Sequence, residues 1–315
     1  MPKILCLHGH GTSAAIFKSQ TAAFRSKLDA TYIFDFIDAP FPSRGAPGID
    51  AIYKTTPKYT WWPAATPQSI RASHLWVENY ARSHGPYDAV CCFSQGCSLA
   101  ATMALYRAVD SAAAGVLGSM GGEESSLPFR AAIFICGGIP LSALEDMGLE
   151  VSARAHEISQ VTGQLLNGAA GRLTELAENV HLIKAGVGLW DLNDAAALLV
   201  HDPGRRPDRS DVFGLDFTRF PGAARIRIPT VHIYGSKDPR WPAGVQLAEF
   251  CEDRVEFDHG GGHDIPRSTE VSRKIAEMIR QVVGRVERGP EKCETTRSRP
   301  RRIVDLVFDH SAVSV

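Results

Sequence analysis

Residues 87–93 end in Ala-Val-Cys-Cys-Phe, an apolar run, and residues 95–109 follow at once with apolar side chains at helical spacing. A strand whose side chains are apolar on both sides has to be covered on both faces. This unit constrains the chain more than any other, because it recurs. Strand-type runs are read at 3–7, 32–37, 87–93, 131–136, 230–234 and 254–257, and helical runs at 13–28, 68–81, 95–109 and 270–283. Alternation of this kind predicts an α/β fold with a mostly parallel sheet of about six strands and helices on both faces. In such a sheet, chemistry is expected at the carboxyl ends of the strands.

Three segments interrupt the alternation. Residues 39–67 hold six prolines and the pair Trp61-Trp62, and read as a long loop that is either functional or mobile. Residues 139–227 form a long insertion whose 151–180 part is helical, which predicts a cap or lid. Residues 115–126 read as a flexible glycine-rich loop, and residues 285–315 as a basic, disordered tail. One domain over 1–284 with the lid inserted in it accounts for the rest. The charge balance, 34 Lys and Arg against 35 Asp and Glu, speaks against a nucleic-acid binder. The apolar start of the chain breaks off at His8, too early for a secretory signal. No run reaches the roughly 18 apolar residues of a membrane span. Seven cysteines, an odd number without metal-type spacing, lie mostly in strand runs. They predict a cytoplasmic protein without structural disulfides.

The strand–helix junction at Cys92-Phe93-Ser94-Gln95-Gly96 is the strongest chemical signal. A serine there lies on a sharp turn with its hydroxyl above the sheet edge. The usual pattern has glycine where this chain has Cys92. The motif alone also fits a serine at a helix start without chemistry. A serine nucleophile needs a base, and the base an acid. Asp238 follows the strand at 230–234, and His259 and His263 follow the strand at 254–257. The order Ser94, Asp238, His263 is that of an α/β-hydrolase. His263 is preferred to His259 because three glycines supply a loop to carry it over the sheet edge. Asp258 and Asp264 are rival acids expected to cap or face solvent, and Asp211 and Asp216 read as surface charge. Cys92 and Cys97 are rival nucleophiles. Two N–H donors are needed for the oxyanion. Gln95 would give one and His10, in the loop Leu7-His8-Gly9-His10-Gly11-Thr12, the other. Cys6, His8 and His10 share one side of their strand but lack an acidic partner, so no metal site is expected. Trp61-Trp62 fits an acyl-pocket wall and a loop anchor equally well. Trp190 is open in the same way, and Trp241 leans towards the site because it follows Asp238.

Four segments together, Leu7–Thr12, Phe93–Gly96, Tyr234–Pro239 and His259–Pro266, give a chain that resembles the fungal serine hydrolase family of the α/β-hydrolase superfamily. The resemblance spans about residues 2–283. It implies the α/β-hydrolase fold, Ser94 as nucleophile, Asp238 as acid and His263 as base, with no metal or organic cofactor. It implies an esterase or thioesterase that releases a small-molecule or polyketide acyl chain, with a polyketide synthase acyl carrier as a partner. A hydrolase-like protein that binds or cyclises such a ligand without hydrolysis is the alternative. Cys92, the insertion and the basic tail depart from the family pattern.

Overall fold

The computed structural model describes residues 1–116, 127–182, 189–190 and 206–287. Its centre is a six-stranded sheet of β1 (Lys3–Leu7), β2 (Ile33–Ile37), β5 (Ala89–Phe93), β6 (Ala132–Ile135), β7 (Thr230–Tyr234) and β8 (Arg254–Asp258). The order is β2-β1-β5-β6-β7-β8 and all five pairings are parallel. Period-two alternation divides the strands between two cores. Leu5, Leu7, Val90, Cys92 and Phe134 face one core, shared with α4 (Pro67–His84), α5 (Gln95–Val116), α6 (Leu141–Asp146) and α8 (Trp241–Glu249). Ile4, Cys6, Cys91, Ile133 and Ile135 face the other, closed by α1 (Ala14–Gln20), α2 (Ala22–Arg25) and α9 (Thr269–Glu287).

Some boundaries move, for local reasons. The helix expected over 13–28 breaks at Thr21, whose hydroxyl donates to the carbonyls of Phe17 and Lys18 and competes with the helical ladder. The long loop is not structureless. It holds the antiparallel pair β3 (Phe41–Pro42) and β4 (Tyr59–Thr60), and the single turn α3 (Ile49–Ile52). Trp61 pins it: the ring is fully buried and Nε1 donates to the His8 carbonyl at 2.8 Å. That makes Trp61 an anchor.

Between β6 and β7 lie α6 and the long α7 (Ala153–Glu178). Ser152 caps α7, accepting from the Ala155 N–H. Parts of this region, 183–188 and 191–205, lie outside the described residues, as do 117–126 of the glycine-rich loop and 288–315 of the expected tail. Arg285 belongs to α9, not to a tail, and pairs with Asp253 at 2.9 Å. The six cysteines among the described residues are all free and buried. No helix among those residues is long and apolar enough to cross a membrane.

Three buried histidines make the fold acid-sensitive. Burial lowers His8 to about 4 and both His74 and His232 to about 3. Each is held neutral when folded but protonates near 6.5 when unfolded. The unfolded state therefore binds more protons below pH 6.5, and stability falls as pH drops from there towards 4. Each histidine contributes about 1.4 kcal/mol per pH unit in that window. Thermal melts between pH 7.5 and 4.5 are expected to show a flat Tm above 6.5 and a steep fall below it. His232→Gln should make the fall shallower.

Candidate active site

Four strand ends converge at the carboxyl edge of the sheet. Ser94 lies between β5 and α5 with φ of +52°, a left-handed conformation that an L-residue adopts only when its surroundings impose it. Gly96 makes the turn possible, because a Cβ there would lie 2.3 Å from the Leu7 carbonyl oxygen. The sharp turn forms with Cys92 in place of the usual glycine. That thiol points into the α5 side of the sheet, and burial pushes its pKa well up. Cys97 is also buried, donating to the Ile135 carbonyl at 3.3 Å. Both side chains are buried in the core beside Leu99 and Phe134.

Ser94 Oγ is 3.0 Å from His263 Nε2, and His263 Nδ1 is 2.7 Å from Asp238 Oδ2. A buried carboxylate accepts, so Nδ1 carries the proton and Nε2 is left to accept from the serine hydroxyl. Asp238 is 4% exposed, and its second oxygen takes the Arg240 N–H at 2.7 Å. The loop after β8 thus brings His263 to Ser94, while His259 stays behind it. The His259 Nδ1 accepts the Gly261 N–H at 3.2 Å. Asp258 accepts from the Ser236 and Gly260 N–H groups. Asp264 takes the Trp190 Nε1–H at 3.2 Å. Asp211 pairs with Arg154 on the surface, and Asp216 caps Thr218.

The first loop lies against Ser94. A Cβ on Gly9 would sit 3.3 Å from that of Ser94. The Gly11 N–H is taken by the Tyr59 carbonyl at 3.0 Å. Gln95 opens α5, where an N–H has no partner within the helix. The side chains of His10 and Gln95 meet at one hydroxyl: Thr60 Oγ1 is 3.0 Å from His10 Nδ1 and 3.0 Å from Gln95 Oε1. His8 has a structural role. Its Nδ1 bonds the Gly9 carbonyl at 2.7 Å and its Nε2 accepts the Ala39 N–H at 3.0 Å.

Sequence reasoning missed Thr60, Cys136 and Arg240. Cys136 has φ of +50° directly after β6, and its sulfur lies within 4.8 Å of the Asp238 carboxylate and a His263 ring nitrogen. Its place at a central strand end was a usable signal. Trp190 comes from the insertion and lies on the loop that carries His263, where a Cβ on Gly262 would meet its indole. Trp241 packs edge-on to Phe213 and Tyr234.

The family model described as serine hydrolase (FSH1) matches residues 1–275. The chain belongs to this family. It is 30% identical to the esterase alnB of Emericella nidulans over 86% of this chain and 92% of that one. It is 27% identical to the esterase FPY3 of Fusarium mangiferae, with 89% and 96% covered. The esterase tropF of Talaromyces stipitatus is 26% identical, with 90% and 81% covered. Among solved structures, Arabidopsis thaliana SOBER1 aligns at a TM-score of 0.43 and 14% identity, over 90% of this chain and 99% of that one.

Proposed function

We propose that this serine hydrolase cleaves an ester or thioester of a small-molecule or polyketide acyl chain through an acyl-Ser94 intermediate. The unbroken hydrogen-bonded chain from Ser94 through His263 to the buried Asp238 carries this reading. Ser94 Oγ attacks the carbonyl carbon while His263 Nε2 takes its proton. Asp238 holds the imidazole in the required tautomer and stabilises the imidazolium. The carbonyl oxygen gains negative charge and is met by the N–H groups of Gln95 and His10, which Thr60 braces through both side chains. Collapse breaks the bond to the leaving alcohol or thiol, which receives the proton from His263. Water, deprotonated by His263, then attacks the acyl-serine. The acid leaves and Ser94 regains its proton. Beyond substrate and water, each step draws on side chains and backbone of this chain.

A single domain that ends with α9 carries the lid 139–227, which sets acyl size and excludes water before the first step. Esterase names among the relatives favour hydrolysis over a ligand binder that does not turn over. Unpaired buried cysteines suit a cytoplasmic setting. An acyl carrier is the partner to test. A panel of p-nitrophenyl esters and N-acetylcysteamine thioesters, the latter mimicking a carrier arm, is expected to give turnover with an initial burst of leaving group. No release above the buffer rate with any of them would overturn the assignment.

A further inference from the structure

The Arg240 side chain ties the insertion to the acid loop. Arg240 Nη1 donates to the Ser159 carbonyl at 2.7 Å and to Thr162 Oγ1 at 2.9 Å, both on α7. The main-chain N–H of the same residue bonds Asp238 Oδ1. One residue therefore grips the lid helix with its side chain and the acid with its backbone. The guanidinium is largely desolvated in this seam, with Gly163 beside it offering no side chain to obstruct it. An apolar side chain would seat a helix there without the cost of burying a charge.

The grip divides α7 in two. Before it, Ala155 and Ile158 are buried in the core. Beyond it, Leu165, Leu166, Leu173 and Leu176 are only half-buried, and Gly168 and Gly171 have open space around them. Each glycine weakens the helix relative to alanine. The second half thus carries a loosely covered row of leucines that starts at the clamp. At its far side α7 packs on α3, which follows Ala46, and the Ala46 N–H donates to the Gly11 carbonyl in the first loop at 3.1 Å. The helix therefore joins the acid loop to the loop beside Ser94.

We propose that Arg240 is a specificity-determining residue: it fixes α7 over the site so that its second half forms an apolar wall for medium and long acyl chains. This rests on the reading of Ser94, His263 and Asp238 as the triad. An acetyl group is too short to use the wall, whereas an octanoyl chain buries several methylenes against it.

The test compares p-nitrophenyl octanoate with p-nitrophenyl acetate for the wild type, Arg240→Gln, Thr162→Val and the double variant. Arg240→Gln is expected to lower the octanoate-to-acetate ratio of kcat/KM about tenfold, mainly through a higher KM for octanoate. Thr162→Val removes one acceptor without touching charge and should lower the ratio two- to threefold, with no further loss in the double variant. A ratio within twofold of the wild type in Arg240→Gln, or additive losses, would overturn the proposal. Hydrogen exchange reads the clamp without any turnover: amides of residues 163–178 should exchange at least fivefold faster in Arg240→Gln, and unchanged protection would refute the clamp. Wild-type protein that neither hydrolyses esters nor reacts with a fluorophosphonate would instead count against the triad, a result the exchange experiment keeps apart.

Discussion

Ser94→Ala is expected to abolish ester turnover, with a fall in kcat of about 10⁵–10⁶-fold, and to end covalent labelling by a fluorophosphonate. The size follows from how completely the site depends on one oxygen. Ser94 is the residue held at positive φ beside His263 Nε2, and the nearby nucleophilic atoms are engaged elsewhere. Cys92 and Cys97 point into the core, and the Ser98 hydroxyl donates to the Gly138 carbonyl at 2.8 Å. Alanine fits the same turn, so the variant should fold and melt close to the wild type. Intact-mass spectrometry after probe treatment, followed by peptide mapping, reads the result directly. A Ser94→Ala protein that still gains the probe's mass would show another nucleophile.

Asp238→Asn is expected to lower kcat by about 10⁴-fold with little change in the fold. An asparagine keeps the volume and still accepts the Arg240 N–H through its carbonyl oxygen. Its amide group then faces His263 Nδ1, which must become the acceptor. The ring proton moves to Nε2, and the imidazole can no longer take the proton of Ser94. Asp258→Asn and His259→Ala are the controls: Asp258 accepts from the Ser236 and Gly260 N–H groups and His259 from the Gly261 N–H, outside the Ser94–His263–Asp238 chain. They should retain activity within about threefold of the wild type, on the scale of ordinary substitutions away from reacting atoms. If His259→Ala is as damaging as His263→Ala, the base has been assigned to the wrong ring. Kinetics on p-nitrophenyl acetate with circular dichroism of each variant separates chemistry from misfolding.

Much of this site could be read before any coordinates, and the reason is local. β5 and the first turn of α5 are contiguous, so the strand, the strained serine and the glycine that permits it occupy one short segment. Asp238 and His263 likewise follow strands that are apolar enough to recognise. His263 could be preferred over His259 because a loop of glycines carries it. What was not legible depends on contacts between distant segments. Thr60 lies in a stretch read as irregular, and its link to His10 and Gln95 comes only from the folding of that stretch over the first loop. Arg240 is marked in the sequence only as a charge two residues after Asp238. Its grip on Ser159 and Thr162 spans 78 to 81 residues of sequence. Trp61 offered two readings of equal weight, and only its bond to the His8 carbonyl decided between them. The break at Thr21 escaped because a threonine hydroxyl that competes with the helix leaves no mark in hydrophobic spacing.

The parallel order of the sheet also has a consequence for the timing of biosynthesis. The serine and the histidine that would activate it are separated by 169 residues. At about 5–20 residues per second, a ribosome needs roughly 10–30 s to cover that distance. During that interval the emerging chain carries a hydroxyl with no base beside it. The strands that bring the acid and the base are the last two of the sheet to be made, and they occupy one edge of it. On the proposed triad, an unfinished chain therefore lacks both its acid and its base, and hydrolytic competence arrives only once His263 has been made.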